Sequence, residues 1–303
     1  MGMSLSRKIS YDRFEKILFL PSSLIILNTE LKHSCYNFFM HYSNIHKAIF
    51  LNRPNRFIAH VMMNGKNETV HVKNTGRCNE LLVPNSVVYL EESDNPSRKT
   101  KYDLIAVEKS TKSQRSSPTI NPALPQTCTH FQTHIPMQQT LLINMDSQAP
   151  NKVAAEWICQ NKKRFPHIKL LKAEHTKGHS RFDFYAEYDD ETNCCHKVLI
   201  EVKGCTLEKD GIALFPDAPT LRGLKHVKEL TELSQSGQYE CMILIIVQMT
   251  GCKYFTPNRN THADFAEALK VARKEGVKII AIECEVSPDS LIAKDEIEVR
   301  IDF

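Results

Sequence analysis

The 303-residue sequence has no apolar run long enough to cross a membrane. A spanning helix needs about 18 or more uncharged apolar residues. The longest run here is Met242 to Val247, strand-sized and bounded by Cys241 and Gln248. There is little excess charge of either sign: 39 basic minus 35 acidic residues leaves +4, with pI ≈ 8.4. That balance excludes a histone-like or ribosomal-tail protein. The N-terminus lacks the pattern of a secretory signal, and ten cysteines are only about 3% of the chain, so free thiols in a reducing cytoplasmic compartment are expected. A eukaryotic organelle is the remaining alternative. No C-x-x-C pair exists, and Cys194 and Cys195 are adjacent, a poor geometry for a metal or a bridge. Cys128, His130 and His134 cluster without a fourth ligand and read as part of an insert. The opening Met1-Gly2-Met3-Ser4-Leu5-Ser6 fits the loose myristoylation pattern and is read as a chance match.

What is present is an ordinary globular composition, 42% apolar and 24% charged, at a length of about two domains. Four zones emerge. Residues 1–46 lack clean periodicity and read as an extension or docking segment. Residues 47–110 carry short alternating runs. Phe57 to Met63 leads into Asn64-Gly65, a strong hairpin dipeptide, followed by runs at Thr69–Val72, Val87–Leu90 and Asp103–Val107. Four or five short strands in about 60 residues predict a small barrel of the OB-fold type. Residues 111–145 are polar and Pro/Ser-rich, the composition of a linker or insert. Residues 146–303 read as mixed α/β. A helix around Val153, Ala154, Trp157 and Ile158 is expected, then strands at 168–175, 181–188 and 197–203. A helix at 220–233 follows, with Leu221, Leu224, Val227 and Leu230 buried. The series closes with a strand at 241–247, a helix at 262–275 and a strand at 277–283.

The two-residue strand period places Glu201 and Lys203 on one face with Leu199, opposite Val198, Ile200 and Val202. In the preceding strand Asp183 faces away from Phe182, Phe184 and Ala186. If the strands pair, Asp183, Glu201 and Lys203 converge. Two neighbouring carboxylates repel unless a hard cation such as Mg²⁺ or Mn²⁺ neutralises them. A lysine beside that ion can position water and stabilise phosphate charge. The competing reading is a surface ion pair on a solvated strand face.

The chain resembles the sugar fermentation stimulation protein family. The matching text is Arg53-Pro-Asn-Arg-Phe57; His71-Val-Lys-Asn-Thr-Gly-Arg-Cys-Asn-Glu-Leu-Leu82; Arg98-Lys-Thr-Lys-Tyr102; Ser180-Arg-Phe-Asp-Phe184; Glu201-Val-Lys-Gly204; Phe215 to His226; and Val247-Gln248. The resemblance implies an N-terminal OB-fold and a C-terminal domain resembling PD-(D/E)XK nucleases, hence an α+β or mixed fold. It also implies non-specific DNA binding and a regulatory role in sugar, notably maltose, metabolism. The nuclease motif falls on Asp183, Glu201 and Lys203, with Phe182 where the motif has proline. It implies Glu156 as an accessory metal ligand and Asp217, Arg222, Lys225, His226 and Gln248 as an outer ring; Gly204, which also matches, reads as a close backbone approach or a turn.

Physical chemistry reads parts of that ring. Arg222, Lys225, His226 and Glu229 fall on the polar side of the expected helix, where Arg and Lys can meet phosphates or simply solvent. His226 is either a phosphate contact or a satisfied, partly buried histidine. Gln248 either faces a cleft or caps a strand, and Asp217 either joins the ring or only sets a turn or N-caps the helix region. The turn Asn74, Thr75, Gly76 and Arg77 can present amides and a guanidinium to phosphate, and Arg53 and Arg56 extend the basic surface. Phe57, His71 and Tyr89 are stacking faces if outward and core residues otherwise. The expectation is a metal-dependent nuclease acting on nucleic acid, DNA above RNA. Two alternatives stand: a non-catalytic DNA-binding regulator, and a protein–protein scaffold acting through residues 1–46. Nothing in the sequence sets an oligomeric state.

Overall fold

A computed structural model describes residues 40–74, 76–110 and 140–302. After β1 (Met40–His41) come β2 (Ile45–Asn55), β3 (Ile58–Met63), β4 (Lys66–Val72), β5 (Val87–Glu92), β6 (Tyr102–Ser110) and β7 (Thr140–Asn144). Strands β2 to β6 close into a five-stranded OB barrel. The ladder runs β4-β3-β2-β5-β6, and a short parallel β4–β6 pairing at His71↔Asp103 and Val72↔Leu104 completes the circle. The Asn64-Gly65 hairpin forms as expected, with both residues at positive φ, as the tight turn requires. Val61, Val70, Val72, Val88 and Leu90 fill the interior.

Strand β6 is buried on both faces. Leu104 and Val107 point into the barrel, whereas Ile105 and Ala106 join the core of the second domain. That double burial explains its continuous apolar run. Strand β7 pairs with β6 along its whole length. Residues 140–144, read in the sequence as the end of a linker, therefore belong to the barrel sheet. Residues 111–139, Thr75 and the Cys128, His130 and His134 group lie outside the described residues.

The second domain runs α1 (Ala149–Gln160), β8 (His167–Lys177), β9 (Ser180–Asp189), β10 (Cys195–Cys205), β11 (Leu207–Lys209), β12 (Ile212–Phe215), α2 (Leu221–Gln235), β13 (Glu240–Val247), β14 (Tyr254–Pro257), α3 (Ala263–Lys274), β15 (Lys278–Ser287) and β16 (Ser290–Val299). The sheet order is β11-β12-β14-β16-β15-β13-β10-β9-β8, with β1 paired to β16. This is the α-β-β-β-α-β-α-β order expected of a PD-(D/E)XK nuclease-like domain, with the short strands β11, β12 and β14 and the ten-residue β16 added to it. Helix α1 covers one face, against Val198, Ile200, Leu244 and Ile246. Helices α2 and α3 cover the other, against Leu199, Ile243 and Ile245. Strand β13 is thus buried on both sides, as its unbroken apolar text foretold. Strand β1 places Met40 and His41, within the expected extension, in this sheet through Leu291 and Ser290.

Candidate active site

Strands β9 and β10 form a regular antiparallel ladder from Asp189↔Cys195 to Phe184↔Ile200. Beyond Ile200, β10 keeps its parallel pairing with β13 through Cys205. The ladder with β9 stops there, and Asp183 occupies the opening. Its Oδ2 accepts from the Val202 backbone N–H at 2.7 Å, and its Oδ1 accepts from Asn151 Nδ2 of α1 at 2.9 Å. A side chain thus takes the place of a missing ladder bond. The inward-outward alternation breaks at the same point. Phe184 and Ala186 pack on the α1 side, whereas Phe182 packs on the α2 side against His226. The expected common face for Phe182, Phe184 and Ala186 is therefore wrong at Phe182, because β9 separates from its neighbour there.

Glu201 is buried at 2% exposure. Its Oε1 accepts from Lys203 Nζ and from His226 Nδ1, the latter at 2.5 Å. Burial pushes Glu201 up, but the His226 hydrogen bond and the Lys203 charge outweigh it and hold the carboxyl below its usual range. Burial, then the adjacent Glu201 charge, drive the Asp183 carboxyl above its usual range. The three motif residues are therefore brought together. Asn151 and His226 act as their supports.

Helix α2 is turned relative to the sequence expectation. Its buried stripe is Gly223, His226, Val227, Leu230 and Thr231, spaced i, i+3, i+4, i+7 and i+8. Leu221, expected inside, is 78% exposed. His226, expected on the polar side, faces inward at 6% exposure and holds Glu201. The helix starts at Thr220, whose side chain accepts from Gly223 N at 3.0 Å. Arg222 is exposed; Lys225 pairs with Glu229 at 3.5 Å and reaches the His179 carbonyl at 3.4 Å.

Between the barrel and the start of α2 lies a cleft of about 480 Å³, lined by Arg56, Gly76, Arg77, Asn79, Ala218 and Pro219 among others. Arg53 also borders it, but its guanidinium is committed to protein. Four backbone carbonyls accept from it: Asn74 at 2.7 Å, Arg56 at 2.6 Å, Gly76 at 3.0 Å and Arg77 at 2.8 Å. Arg53 braces the turn that presents Arg77. Arg56 and Arg77 are the exposed cations of the cleft, and Phe57 beside Arg56 is 50% exposed. Asn74 is a further brace: its Oδ1 accepts from Gly76 N, and its Nδ2 donates to Met145 O. Asp217 abuts Gly76, where an added Cβ would come within 2.5 Å of its carboxylate, so glycine permits this close approach. His71 bonds Asp103 at 2.9 Å and Tyr89 donates to Glu108 at 2.7 Å, which ties both into the barrel.

The carboxylate pair suits a hard divalent cation. Glu201 Oε2 is buried without a hydrogen-bond partner among the described residues, although its twin oxygen has two. A lone buried carboxylate oxygen costs about 1–3 kcal/mol or more unless it meets a positive group. Asp183 and Glu201 would hold such an ion, with oxygen ligands of the type Mg²⁺, Mn²⁺ and Ca²⁺ favour.

Two family profiles match the chain: the SfsA N-terminal OB domain at residues 51–113, and the sugar fermentation stimulation protein RE domain at residues 148–290. A sugar fermentation stimulation protein homolog of Desulfitobacterium hafniense is 47% identical over 262 residues, spanning 86% of this chain and 99% of its own. The chain belongs to the sugar fermentation stimulation protein family. Its homologs in Ruminiclostridium cellulolyticum and Clostridium beijerinckii are 44% and 42% identical, each over 86% of this chain and at least 99% of their own. The structure of Pyrococcus furiosus SfsA in complex with Ca²⁺ matches with a TM-score of 0.66 at 26% identity, covering 87% of this chain and all of that one.

In this member of the family, two expected accessory residues make contacts with other protein groups. Glu156 is engaged by the Met40 backbone and lies beside Cys284, and burial raises its carboxyl to about 7. It stands five residues beyond Asn151 on α1, about 140° around the helix. The helix contributes Asn151 to Asp183 instead. Only the helix phase separates the two, and a sequence search for acids passes over an asparagine. Gln248 is 1% exposed and donates from Nε2 to Asn144 O, Asn144 Oδ1 and Asp146 O. It caps β13 and ties it to the segment between the domains. Gly204 does serve close approach: a Cβ there would lie 2.4 Å from Gln248 Oε1 and 2.7 Å from Pro150 Cγ. No helix among the described residues is long and apolar enough to cross a membrane.

Proposed function

We propose that this protein is a divalent-metal-dependent phosphodiesterase of the PD-(D/E)XK nuclease type, acting on DNA. The observation that carries the reading is the partnerless, buried Glu201 Oε2 beside Asp183, with Lys203 on the same carboxylate. The Ca²⁺ complex of Pyrococcus furiosus SfsA supports a hard-cation site. Asp183 and Glu201 would hold Mg²⁺ or Mn²⁺, which would supply Lewis-acid stabilisation of charge on the scissile phosphate.

The residues of the chain do the rest. Val202 N–H and Asn151 fix the Asp183 carboxylate, and His226 fixes Glu201, so neither has to reorganise during reaction. Lys203 orients the attacking water and meets the phosphate charge. Arg56 and Arg77 hold flanking phosphates in the cleft. Helix α2 rises about 9 Å from Thr220, at the cleft, to His226, at Glu201, so one strand can span both. The buried free thiols Cys78, Cys205, Cys241, Cys252 and Cys284 suit a reducing cytoplasm.

The test incubates purified protein with plasmid and single-stranded DNA, with and without Mg²⁺ or Mn²⁺. Metal-dependent cleavage that Lys203→Ala abolishes is expected. Undiminished cleavage by that variant refutes the assignment. DNA retention that weakens steeply with salt, with no hydrolysis under any metal, refutes the hydrolytic reading in favour of a DNA-binding regulator of sugar metabolism.

A further inference from the structure

We propose that Asp190, Cys194 and His196 form a Zn²⁺ site at the tip of the β9–β10 hairpin, separate from the Asp183–Glu201 pair. One ligand atom from each lies within 4.8 Å of the other two. Asp190 stands just past the end of β9, seven residues from Asp183, about 23 Å at strand rise.

The adjacent cysteines looked unpromising in sequence, but the strand separates them. Cys194 and His196 are two apart and share a face, whereas the Cys195 thiol lies towards Lys169 and Tyr185. Glu191 and Thr192 turn the chain, with Asn193 at φ 62° after them, so that Asp190 and Cys194 are brought together. Asp190 Oδ1 accepts from Thr192 N, Thr192 Oγ1 and Cys194 N, which leaves Oδ2 facing His196 Nε2 at 3.1 Å.

The second, independent observation concerns the far side of the imidazole. His196 Nδ1–H donates to Glu240 Oε1 at 2.6 Å, and Lys278 Nζ holds the other Glu240 oxygen at 2.7 Å. The ring also stacks on Tyr188, at 4.8 Å between centroids and 12° between planes. A carboxylate on one ring nitrogen fixes the tautomer and aims the other nitrogen at a metal. His196 is therefore oriented by groups outside the ligand set.

The donors are a thiolate, an imidazole and a carboxylate. That mixture selects Zn²⁺ over Mg²⁺ or Ca²⁺, the reverse of the all-oxygen Asp183–Glu201 pair. Tetrahedral ligand atoms at about 2.0–2.3 Å from Zn²⁺ lie about 3.4–3.6 Å apart, so the exposed turn has to draw in by about an ångström. Solvent takes the fourth position. Binding releases the Cys194 thiol proton and any proton on His196 Nε2 to solvent. An ion here pins the turn joining the two strands whose far ends carry Asp183 and Glu201.

The test titrates the reduced full-length protein with Co²⁺ and follows thiolate-to-cobalt charge-transfer absorption in the near ultraviolet. One equivalent should develop the band, Zn²⁺ should bleach it, and excess Mg²⁺ should leave it. Cys194→Ser should abolish the band and Cys195→Ser should keep it. Glu240→Gln should keep it while weakening Zn²⁺ by about 10–100-fold. The Asp183→Asn/Glu201→Gln double variant should bind Zn²⁺ as the wild type does, so this site and the nuclease reading fail separately. No band at saturating Co²⁺, a band that survives Cys194→Ser, or one lost in the double variant overturns the proposal.

Discussion

Replacing Arg53 by lysine separates the two jobs that cations perform around the cleft. Arg53 forks to four carbonyls spread over residues 56, 74, 76 and 77. Lysine keeps the charge, but its single ammonium cannot reproduce that fork. Charged hydrogen bonds contribute about 1.5–3 kcal/mol each, and water restores part of what is lost where the carbonyls are exposed. Losing two or three of the four therefore costs about 2–4 kcal/mol. At about 2–4 °C per kcal/mol for a chain of this size, Tm should fall by about 4–15 °C. Arg77→Ala should leave Tm within about 0.5 kcal/mol equivalent of wild type, because the side chain is exposed. It should also lower the slope of log K against log salt for duplex DNA by about 0.9, the loss of one phosphate contact. Differential scanning calorimetry and salt-dependent binding read the two effects. An Arg53→Lys protein with wild-type Tm and a reduced salt slope would show that Arg53 is a phosphate ligand, and the bracing argument would fail.

Divalent cations should stabilise the wild type: at 100 times Kd, Mn²⁺ adds about 2.7 kcal/mol, and Glu201→Gln should erase the resulting rise in Tm. An equal rise in both proteins moves the ion elsewhere. Gly204→Ala should cost about 1–3 kcal/mol in urea denaturation, since the new methyl meets Gln248 and the rigid Pro150 ring. A wild-type midpoint shows the strand and α1 can part without penalty. Glu156, raised to about 7 by burial, favours the folded state when protonated. Its contribution is complete below its unfolded pKa and is lost as pH climbs through about 7. Glu156→Gln should therefore leave stability at pH 4 almost unchanged and raise it at pH 8 by about 1–2 kcal/mol, after discounting for its partial exposure. Equal effects at both pH values would rule out the titration.

The elements with an unambiguous period were legible. Met242 to Val247 reads as a doubly buried strand and is one, and Asn64-Gly65 reads as a hairpin and is one. The short strands β11, β12 and β14 were not, because three or four residues carry no period of their own. Helix α2 was placed correctly along the chain but turned about its axis. Leucine hydrophobicity favoured Leu221 inside, whereas a buried carboxylate required His226 there. The arginines of the barrel looked alike in sequence, since a guanidinium that binds carbonyls and one that awaits phosphate have the same text.

By itself the sequence carried the resemblance to the family, and its local period indicated the barrel, the mixed α/β sheet after it and the convergence of Asp183, Glu201 and Lys203. Tertiary structure alone decided which groups serve that set. The separation of β9 from β10 gave Asp183 its place, and the phase of α1 chose Asn151 over Glu156. Inside the barrel, the turn at residues 74–77 brought its carbonyls onto Arg53 and left Arg77 facing the cleft. Each of these depends on contacts between residues far apart in the chain, on which no local pattern reports.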